Sequence, residues 1–161
     1  MAVDNVPPAG SDPDRIRSDA DRLVATYVDA DDERERLRQE RDFWRGLFEQ
    51  TVEKFPEPLL VVDDEKKLTH WNEAHEKFMG VDREEALGRT ALDVTGTEGV
   101  DETLAGTVVR TGERIIEDDH RTGQTTDGDP WHVQVSGVPL EAPSGEVVGC
   151  ISMASRVTDL V

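Results

Sequence analysis

Apolar residues recur every seven positions along the first third of the chain, which predicts a helix with one packing face. The first row comprises Ile16, Leu23, Ala30, Leu37 and Trp44, and a second row, displaced by four residues, comprises Ala20, Tyr27, Arg34, Arg41 and Phe48. Two such rows are typical of a two-stranded coiled coil, although Arg34 and Arg41 make the second row imperfect. We therefore expect an amphipathic helix over residues 14–55, with Leu23, Leu37, Trp44 and Phe48 packing in a homodimer. The alternative is a solvated helix that covers the following domain.

A period of two replaces the period of seven after Pro56. Trp131, Val133 and Val135 alternate with polar residues, as in a strand with one buried face. Five strands are predicted, at Leu59–Val62, Leu68–Trp71, Glu113–Asp118, 131–136 and Glu146–Val157. Short helices are predicted at Glu73–Met79, Asp82–Leu87 and Asp101–Thr111, with loops at Ala91–Val100 and Gly123–Asp129. This order predicts an α+β fold: a five-stranded antiparallel sheet with short helices on one face, preceded by a long amphipathic helix.

Three segments follow from these patterns. Residues 1–13 combine proline, glycine and aspartate without periodicity, which predicts a disordered leader. Residues 14–55 form the expected helix, and residues 56–161 form the expected globular domain. The space between the sheet and the short helices is the expected ligand pocket. The long helix is the element available to cover the opposite face of the sheet.

The charge of the chain changes the range of expected partners. The formal net charge is −18, from 36 acidic and 18 basic residues, and only four of the basic residues are lysines. No run of Lys or Arg offers a surface for polyphosphate, so we expect no nucleic-acid binding. Acidity spread along the whole chain with little lysine favours a halophilic protein, the alternative being an ordinary acidic cytosolic protein.

The sequence offers little reactive chemistry. Cys150 is the single cysteine, which excludes an internal disulfide and an iron–sulfur cluster. His75-Glu76 begins like a zinc-protease motif, but Met79 stands where the second histidine is needed, so we expect an exposed helical histidine and no metal site. No catalytic residue is assigned and no enzyme is expected. Since no signal peptide or membrane span is found, we expect a cytoplasmic protein.

Several segments after Pro58 are similar, in order and spacing, to the PAS family. The most specific stretch runs from Leu59 to Asp63 and continues as Leu68-Thr69-His70-Trp71-Asn72-Glu73-Ala74, like the first hairpin of that family leading into an Asn-capped helix. Arg83-Glu84-Glu85-Ala86-Leu87-Gly88 resembles the next family segment. Val157-Thr158-Asp159 resembles the junction with downstream helices, although Arg156 stands where the family usually has aspartate. The resemblance covers residues 48–159, and soluble archaeal transducers share its helix–PAS order.

The resemblance implies a sensory input module. PAS modules respond to small molecules, redox state, light or oxygen, or act as dimerisation units, and regulate chemotaxis transducers, histidine kinases or transcription regulators. Here the cofactor is unknown. Cys150 lies on the last strand, unlike the reactive cysteine of flavin photosensors, and no histidine lies within Asp101–Thr111, which disfavours haem. The ligands that the resemblance still allows are a small metabolite and a noncovalently bound flavin. The alternative function is a dimerisation adaptor that binds no ligand.

Two sets of residues are assigned to this sensory role. The candidate cavity lining comprises Trp71, Phe78, Leu104, Val108, Trp131 and Val133, each of which could equally pack the core. The candidate signal junction comprises Thr158 and Asp159, where a ligand-dependent shift in population would reach an output protein. We expect Thr158→Ala to uncouple signalling without unfolding the domain.

Overall fold

A computed structural model of the chain describes residues 21–25, 28, 32–96, 98–125 and 127–157. The chain divides into two compact units between Glu49 and Gln50. In the first unit, residues 21–25 are helical and Val28 is not, so the single uninterrupted helix expected over residues 14–55 is not observed. The long helix α1 spans Glu33–Lys54 and continues across the boundary between the units. Among the described residues, no helix is long and apolar enough to cross a membrane.

Helix α1 follows local rules at both of its ends. Glu33 and Glu35 occupy its first turn and Lys54 its last turn, so the charges complement the helix dipole. The Arg38 guanidinium lies 3.2 Å from the Glu35 carboxylate, a favourable pair one turn apart. The helix ends two residues before Pro56, since proline supplies no amide hydrogen for a further helical turn.

The second unit contains an antiparallel sheet with six strands among the described residues. The strands are β1 Leu59–Asp63, β2 Leu68–Trp71, β3 Ile115–Ile116, β4 Arg121–Gln124, β5 Pro130–Glu141 and β6 Val147–Arg156. Their order across the sheet is β2-β1-β6-β5, and both β3 and β4 pair with β5. The terminal strand β6 therefore lies centrally, between β1 and β5.

The expectation of five strands was wrong by one. The third strand, expected at Glu113–Asp118, is reduced to two residues, and β4 forms in a segment that includes part of the predicted loop Gly123–Asp129. Its sequence is polar and does not alternate. It is a strand because its backbone pairs with β5, with Gly123 opposite Trp131. A pairing partner in a tertiary structure can impose a strand on a segment with little intrinsic preference for one.

Four short helices lie between β2 and β3. They are α2 Glu73–Met79, α3 Arg83–Ala86, α4 Ala91–Thr95 and α5 Leu104–Thr111. Helix α4 lies within the predicted loop Ala91–Val100, where the Thr90 hydroxyl accepts a hydrogen bond from the Asp93 amide. Helix α5 begins later than expected, because Thr103 rather than Asp101 provides its N-cap. Hydroxyl and amide side chains are favoured at such positions because they satisfy otherwise unpaired amides.

Two apolar clusters lie on opposite faces of β1. Leu60 and Val62 belong to the larger cluster, with Leu68, Trp71, Ala86, Ala91, Ala105, Val108 and Cys150. Leu59 and Val61 belong to the smaller cluster, which includes Val52 from the end of α1. The alternation follows from the two-residue repeat of a strand. The last turn of α1 therefore packs against the face of the sheet that lies opposite the short helices.

Gly137 brings α5 close to the sheet. A Cβ atom at this position would lie 2.6 Å from Leu104 Cδ2, 3.1 Å from Val108 Cγ2 and 3.3 Å from Cys150 Sγ. These separations are shorter than van der Waals contact, so a larger side chain would force the helix away from β5. The absence of a side chain at Gly137 thus determines how closely α5 packs on the sheet.

Candidate functional site

A row of aromatic rings lies between the short helices and β5. Trp71 stacks on His75 with ring centroids 3.8 Å apart, His75 contacts Phe78 edge-on at 5.9 Å, and Phe78 lies 4.7 Å from Trp131. His75 and Phe78 are three residues apart on α2, so they share one face of that helix. Trp131 covers Gly123 of β4, where a Cβ atom would overlap the indole ring. We refer to Trp71, His75, Phe78 and Trp131 as the aromatic row.

Two polar atoms in the aromatic row lack a hydrogen-bond partner among the described residues. These atoms are Nδ1 of His75 and Nε1 of Trp131, and both are buried. The third polar ring differs, because Trp71 Nε1 donates to the carbonyl oxygen of Val81 at 3.0 Å. Buried polar groups are nearly always paired in folded proteins, by protein, water or ligand. The row therefore presents unused hydrogen-bonding capacity next to apolar ring faces.

His75 is uncharged at neutral pH. Its side chain is only 6% exposed, and burial lowers the pKa of the imidazole to about 4. The expectation of an exposed helical histidine was therefore wrong. The sequence carried a signal that could have revealed this: His75 precedes Phe78 by three residues on α2, a spacing that places both side chains on one helix face.

The six candidate cavity residues divide into two groups. Leu104 and Val108 lie where α5 approaches Gly137, and they pack in or against the larger apolar cluster with Trp71. The second group comprises Phe78, Trp131 and Val133. Phe78 contacts Trp131, and Val133 is 1% exposed. Trp131, Val133 and Gly137 share one face of β5, since they are separated by even numbers of residues. The structure thus places both groups on the helix side of the sheet.

Asn72 joins the aromatic row to the end of α1. Its side-chain oxygen accepts hydrogen bonds from the amides of His75 and Leu59, both at 2.9 Å. Its side-chain nitrogen donates to the carbonyl oxygens of Val52 at 3.0 Å and Glu57 at 2.9 Å. Asn72 has no exposed surface. A single buried amide therefore connects α2, β1 and the segment that leaves α1.

Arg83 makes a second connection between the same elements. Its Nε donates to the carbonyl oxygen of Trp71 at 2.9 Å, and its guanidinium pairs with the carboxylates of Glu53 on α1 and Glu76 on α2. The ion pair with Glu53 raises the pKa of Arg83. Because Arg83 and Glu53 are both more than one-third exposed, solvent screens their ion pair and it contributes little to stability.

The last strand meets the segment after α1. Ala154 donates its amide hydrogen to the carbonyl oxygen of Pro58 at 3.0 Å, and Arg156 donates to the Glu57 carboxylate at 3.3 Å. Val157 continues the pairing with β5 through the carbonyl oxygen of His132. The predicted junction residues Thr158 and Asp159 lie outside the described residues. The segment that enters the domain, at Glu57 and Pro58, is therefore hydrogen-bonded to the end of its last strand, β6.

The predicted packing residues of the N-terminal helix are exposed. Leu23 is 48% exposed and Leu37 58%, while Trp44 and Phe48 are both 40% exposed. Leu37 and Trp44 are seven residues apart on α1, and Phe48 follows Trp44 by four, so the three share one stripe of the helix. Leu37 and Trp44 are therefore exposed along one line of α1.

Reactive chemistry is limited in the described part of the chain. Cys150 is fully buried, and burial raises the pKa of its thiol to about 11. A protonated, inaccessible thiol is neither a nucleophile nor a ready metal ligand. Within the residues described, no group of three or more His, Cys, Asp or Glu side chains is positioned to hold a metal ion.

Comparison with known proteins identifies this architecture. A family profile described as the PAS fold matches residues 52–161. An RNA-binding light-oxygen-voltage receptor shares the fold with a TM-score of 0.58 and 18% identity over 73% of this chain and 34% of its own. The VqmA dimer of Vibrio cholerae, described as a DNA-binding receptor, matches with a TM-score of 0.55 and 19% identity over 68% of this chain and 50% of its own.

A third similar structure is an isolated domain. The PAS domain of BvgS from Bordetella pertussis matches with a TM-score of 0.51 and 24% identity over 75% of this chain and 88% of its own. The chain thus spans about one-third to one-half of the two longer receptors and most of the isolated domain. These identities are low enough that the structures share a fold without implying a shared ligand. Over residues 52–161, this chain belongs to the PAS fold family.

Proposed function

We propose that this protein is a cytoplasmic, noncatalytic sensory module that binds a small ligand beside the aromatic row and relays its state through the segments flanking the domain. The observation that carries this proposal is the position of Asn72. The same side chain holds the N-terminus of α2, which bears His75 and Phe78, and the carbonyl oxygens at the end of α1. A ligand that moves α2 would therefore also change the environment of α1.

The relay is a change in population between two arrangements. A ligand shifts such an equilibrium only by its difference in affinity for the two states. The proposed route runs from His75 through Asn72 to Glu57, whose carboxylate accepts the amide hydrogen of Arg156 on β6. The segment before β1 and the segment after β6 then both respond to the binding of one ligand. Thr158 and Asp159, which follow this point in the chain, are the proposed exit toward an output protein.

A chimera tests this relay without knowledge of the ligand. We would fuse the full chain to the catalytic core of a histidine kinase after Val161 and measure autophosphorylation. Glu57→Ala removes the carboxylate that contacts Arg156. As a control, Glu141→Ala removes an exposed carboxylate at the last residue of β5. Loss of one hydrogen bond is worth about 1 kcal/mol, which changes a two-state ratio about fivefold.

The expected result is a changed kinase rate for Glu57→Ala and an unchanged rate for Glu141→Ala. Equal rates for both variants and the wild type would show that the contact with Arg156 does not transmit a signal. Thr158→Ala in the same chimera tests the proposed exit, and a wild-type response there would place the exit elsewhere.

Dimerisation through α1 is part of the proposal. The exposure of Leu37 and Trp44, which lie seven residues apart on α1, supports it, because apolar residues at heptad spacing are stabilised by a second helix. Sedimentation of the full chain should give a dimer, and Leu37→Glu should shift it toward monomer. A monomer for the wild-type chain would contradict this part of the proposal.

A ligand-free adaptor is the second candidate function. It is supported by the extent to which Trp71, Val108 and Val133 are buried, each at 1% exposure or less, as in a packed core. Mass spectrometry of the denatured, purified protein would distinguish the two candidates, since a sensor expressed with its ligand available releases a stoichiometric small molecule.

A high-salt environment completes the proposed setting. A net charge of −18 with four lysines supports a halophilic protein, because molar salt screens the repulsion between carboxylates. The resemblance to soluble archaeal transducers supports an archaeal origin. The same charge supports our proposal that these residues do not themselves bind nucleic acid. Unfolding measured from low to molar KCl would test the first statement: stability should rise steeply with salt.

A further inference from the structure

We infer that the aromatic row is a binding site for a small uncharged ligand that has an apolar body and a hydroxyl group, held by hydrogen bonds to His75 Nδ1 and Trp131 Nε1. This inference rests on the proposed sensory function and specifies the chemical class of the ligand. Both nitrogens are buried without a partner among the described residues. The two rings lie on either side of Phe78, one on α2 and the other on β5.

The two nitrogens specify what the ligand must offer. An indole N–H only donates, so Trp131 requires an acceptor oxygen or nitrogen. A neutral imidazole nitrogen is either a donor or an acceptor, depending on the tautomer, and a hydroxyl group pairs with both forms. His75 is neutral near pH 7, because burial lowers the pKa of its imidazole. A hydroxyl group is therefore the smallest group that satisfies either nitrogen.

The surroundings specify an uncharged ligand with an apolar body. The buried polar side chains among the described residues are Asn72, His75 and Ser152, so no buried Lys, Arg, Asp or Glu is available to pair with a charge. An unpaired buried charge is strongly unfavourable. The neighbouring rings of Phe78 and Trp131, with centroids 4.7 Å apart, are apolar, which favours a ligand with a small ring or hydrocarbon body.

The position of Trp131 is itself determined by the fold. The indole covers Gly123 on the neighbouring strand, where any side chain would overlap the ring. The backbone amide of His75 is held by Asn72 at 2.9 Å. Both hydrogen-bonding residues are thus positioned by neighbours other than each other, as a preformed site requires. A ligand joining them would connect β5 to the helix that Asn72 caps.

Three probes on one scaffold test the ligand class. Benzyl alcohol carries the hydroxyl group, toluene lacks it, and benzylamine carries a charge at neutral pH. We would titrate each into the ¹⁵N-labelled full chain and follow the indole N–H resonances of the three tryptophans, with Trp131→Phe identifying the Trp131 signal. We expect benzyl alcohol to shift the Trp131 resonance saturably. Toluene and benzylamine should bind at least about tenfold more weakly, the loss expected for one hydrogen bond in a dry site.

Two variants test the assigned nitrogens. His75→Phe retains a ring to stack on Trp71 and removes Nδ1, and Trp131→Phe retains a ring beside Phe78 and removes Nε1. Each should weaken benzyl alcohol binding about tenfold when binding is followed through the indole N–H resonance of Trp71, which all the variants retain. His132→Gln, at an exposed position, should not weaken it. Because an unpaired buried nitrogen is unfavourable in the empty protein, His75→Phe should also raise the melting temperature measured without a probe.

Several results would overturn the inference. They are a Trp131 resonance that does not respond to benzyl alcohol up to its solubility limit, equal binding of benzylamine, and unchanged benzyl alcohol affinity in both variants. A fall in the ligand-free melting temperature of both variants would assign the two nitrogens to core packing or to buried water instead. The kinase chimera with Glu57→Ala is measured without adding a probe and does not depend on the class of ligand, so the relay can succeed even when this inference fails.

Discussion

The side-chain oxygen of Asn72 accepts a hydrogen bond from the backbone amide of His75 at 2.9 Å, and this contact connects the fold to the candidate site. It begins helix α2 at the end of β2, and it places His75 against Trp71. The same Asn72 side chain donates to the carbonyl oxygen of Val52, in the last turn of α1. Local capping and the link to the flanking helix are thus properties of one residue.

Replacing Asn72 with alanine should destabilise the domain by more than about 3 kcal/mol, because a lost cap costs about 1 kcal/mol and each buried group left unpaired costs about 1–3 kcal/mol. Urea unfolding followed by circular dichroism measures this. Thr90→Ala is the matched control, because Thr90 also caps a short helix but through one exposed hydrogen bond, and it should cost about 1 kcal/mol. Equal losses would mean that Asn72 acts only as a cap.

Replacing Gly137 with alanine should destabilise the domain by about 1–3 kcal/mol, the usual cost of overpacking a core. The new methyl group would approach Leu104 Cδ2 within 2.6 Å. Gly46→Ala provides the contrast: no atom lies within 4 Å of a Cβ atom there, and alanine in a helix gains about 1 kcal/mol over glycine. Thermal unfolding of both variants should therefore give melting temperatures that move in opposite directions.

Stability should fall on acidification through the titration of His75. The pKa of its imidazole falls from the ordinary value of 6.5, which applies to the unfolded chain, to about 4 when it is buried in the folded protein. The unfolded state therefore binds the proton first, and this contribution is fully present above pH 6.5 and lost as the pH falls through 4. The shift corresponds to roughly 3 kcal/mol. Urea unfolding between pH 7 and 4 should show a free energy of unfolding that falls as the pH falls.

His75→Phe should reduce the change of unfolding free energy with pH, since phenylalanine does not titrate. Glu102 also adds to the pH dependence at the lower end of this range. Hydrogen bonds from Arg110, Lys66 and Thr107 lower its pKa to about 2 in the folded protein, so the unfolded chain binds its proton first. The comparison is therefore the difference between wild type and His75→Phe at each pH. A constant difference would show that His75 does not titrate as described.

The thiol of Cys150 should not react in the native protein. It is fully buried, and burial raises its pKa to about 11, so almost no thiolate is present at pH 8. Reaction with a coloured disulfide reagent should proceed only after unfolding in urea, with one thiol released per chain. Rapid labelling of the native protein would show that β6 opens far more readily than its central position in the sheet implies.

Local patterns were sufficient for the first hairpin and the helix after it. Alternating burial on β1, the turn at Asp63–Lys67 and the Asn72 cap each depend on residues only a few positions apart. Asp63 accepts hydrogen bonds from the amides of Glu65 and Lys67, which closes the turn. The α+β class followed from the order of the predicted elements, which limits the topologies that can bury both faces of one sheet. The PAS assignment followed from the resemblance of these segments to that family.

Contacts between distant segments decided the remainder. β4 is a strand because Trp131 lies opposite Gly123, and His75 is buried because Trp71 and Phe78 surround it. Asn72 was expected to cap α2, but its bonds to Val52 and Glu57 join segments 15 to 20 residues apart. Periodicity describes which residues share a face of one element. Which buried nitrogens find a partner depends on how several elements pack, so the sequence alone determined the fold class, and only the tertiary structure determined the candidate site.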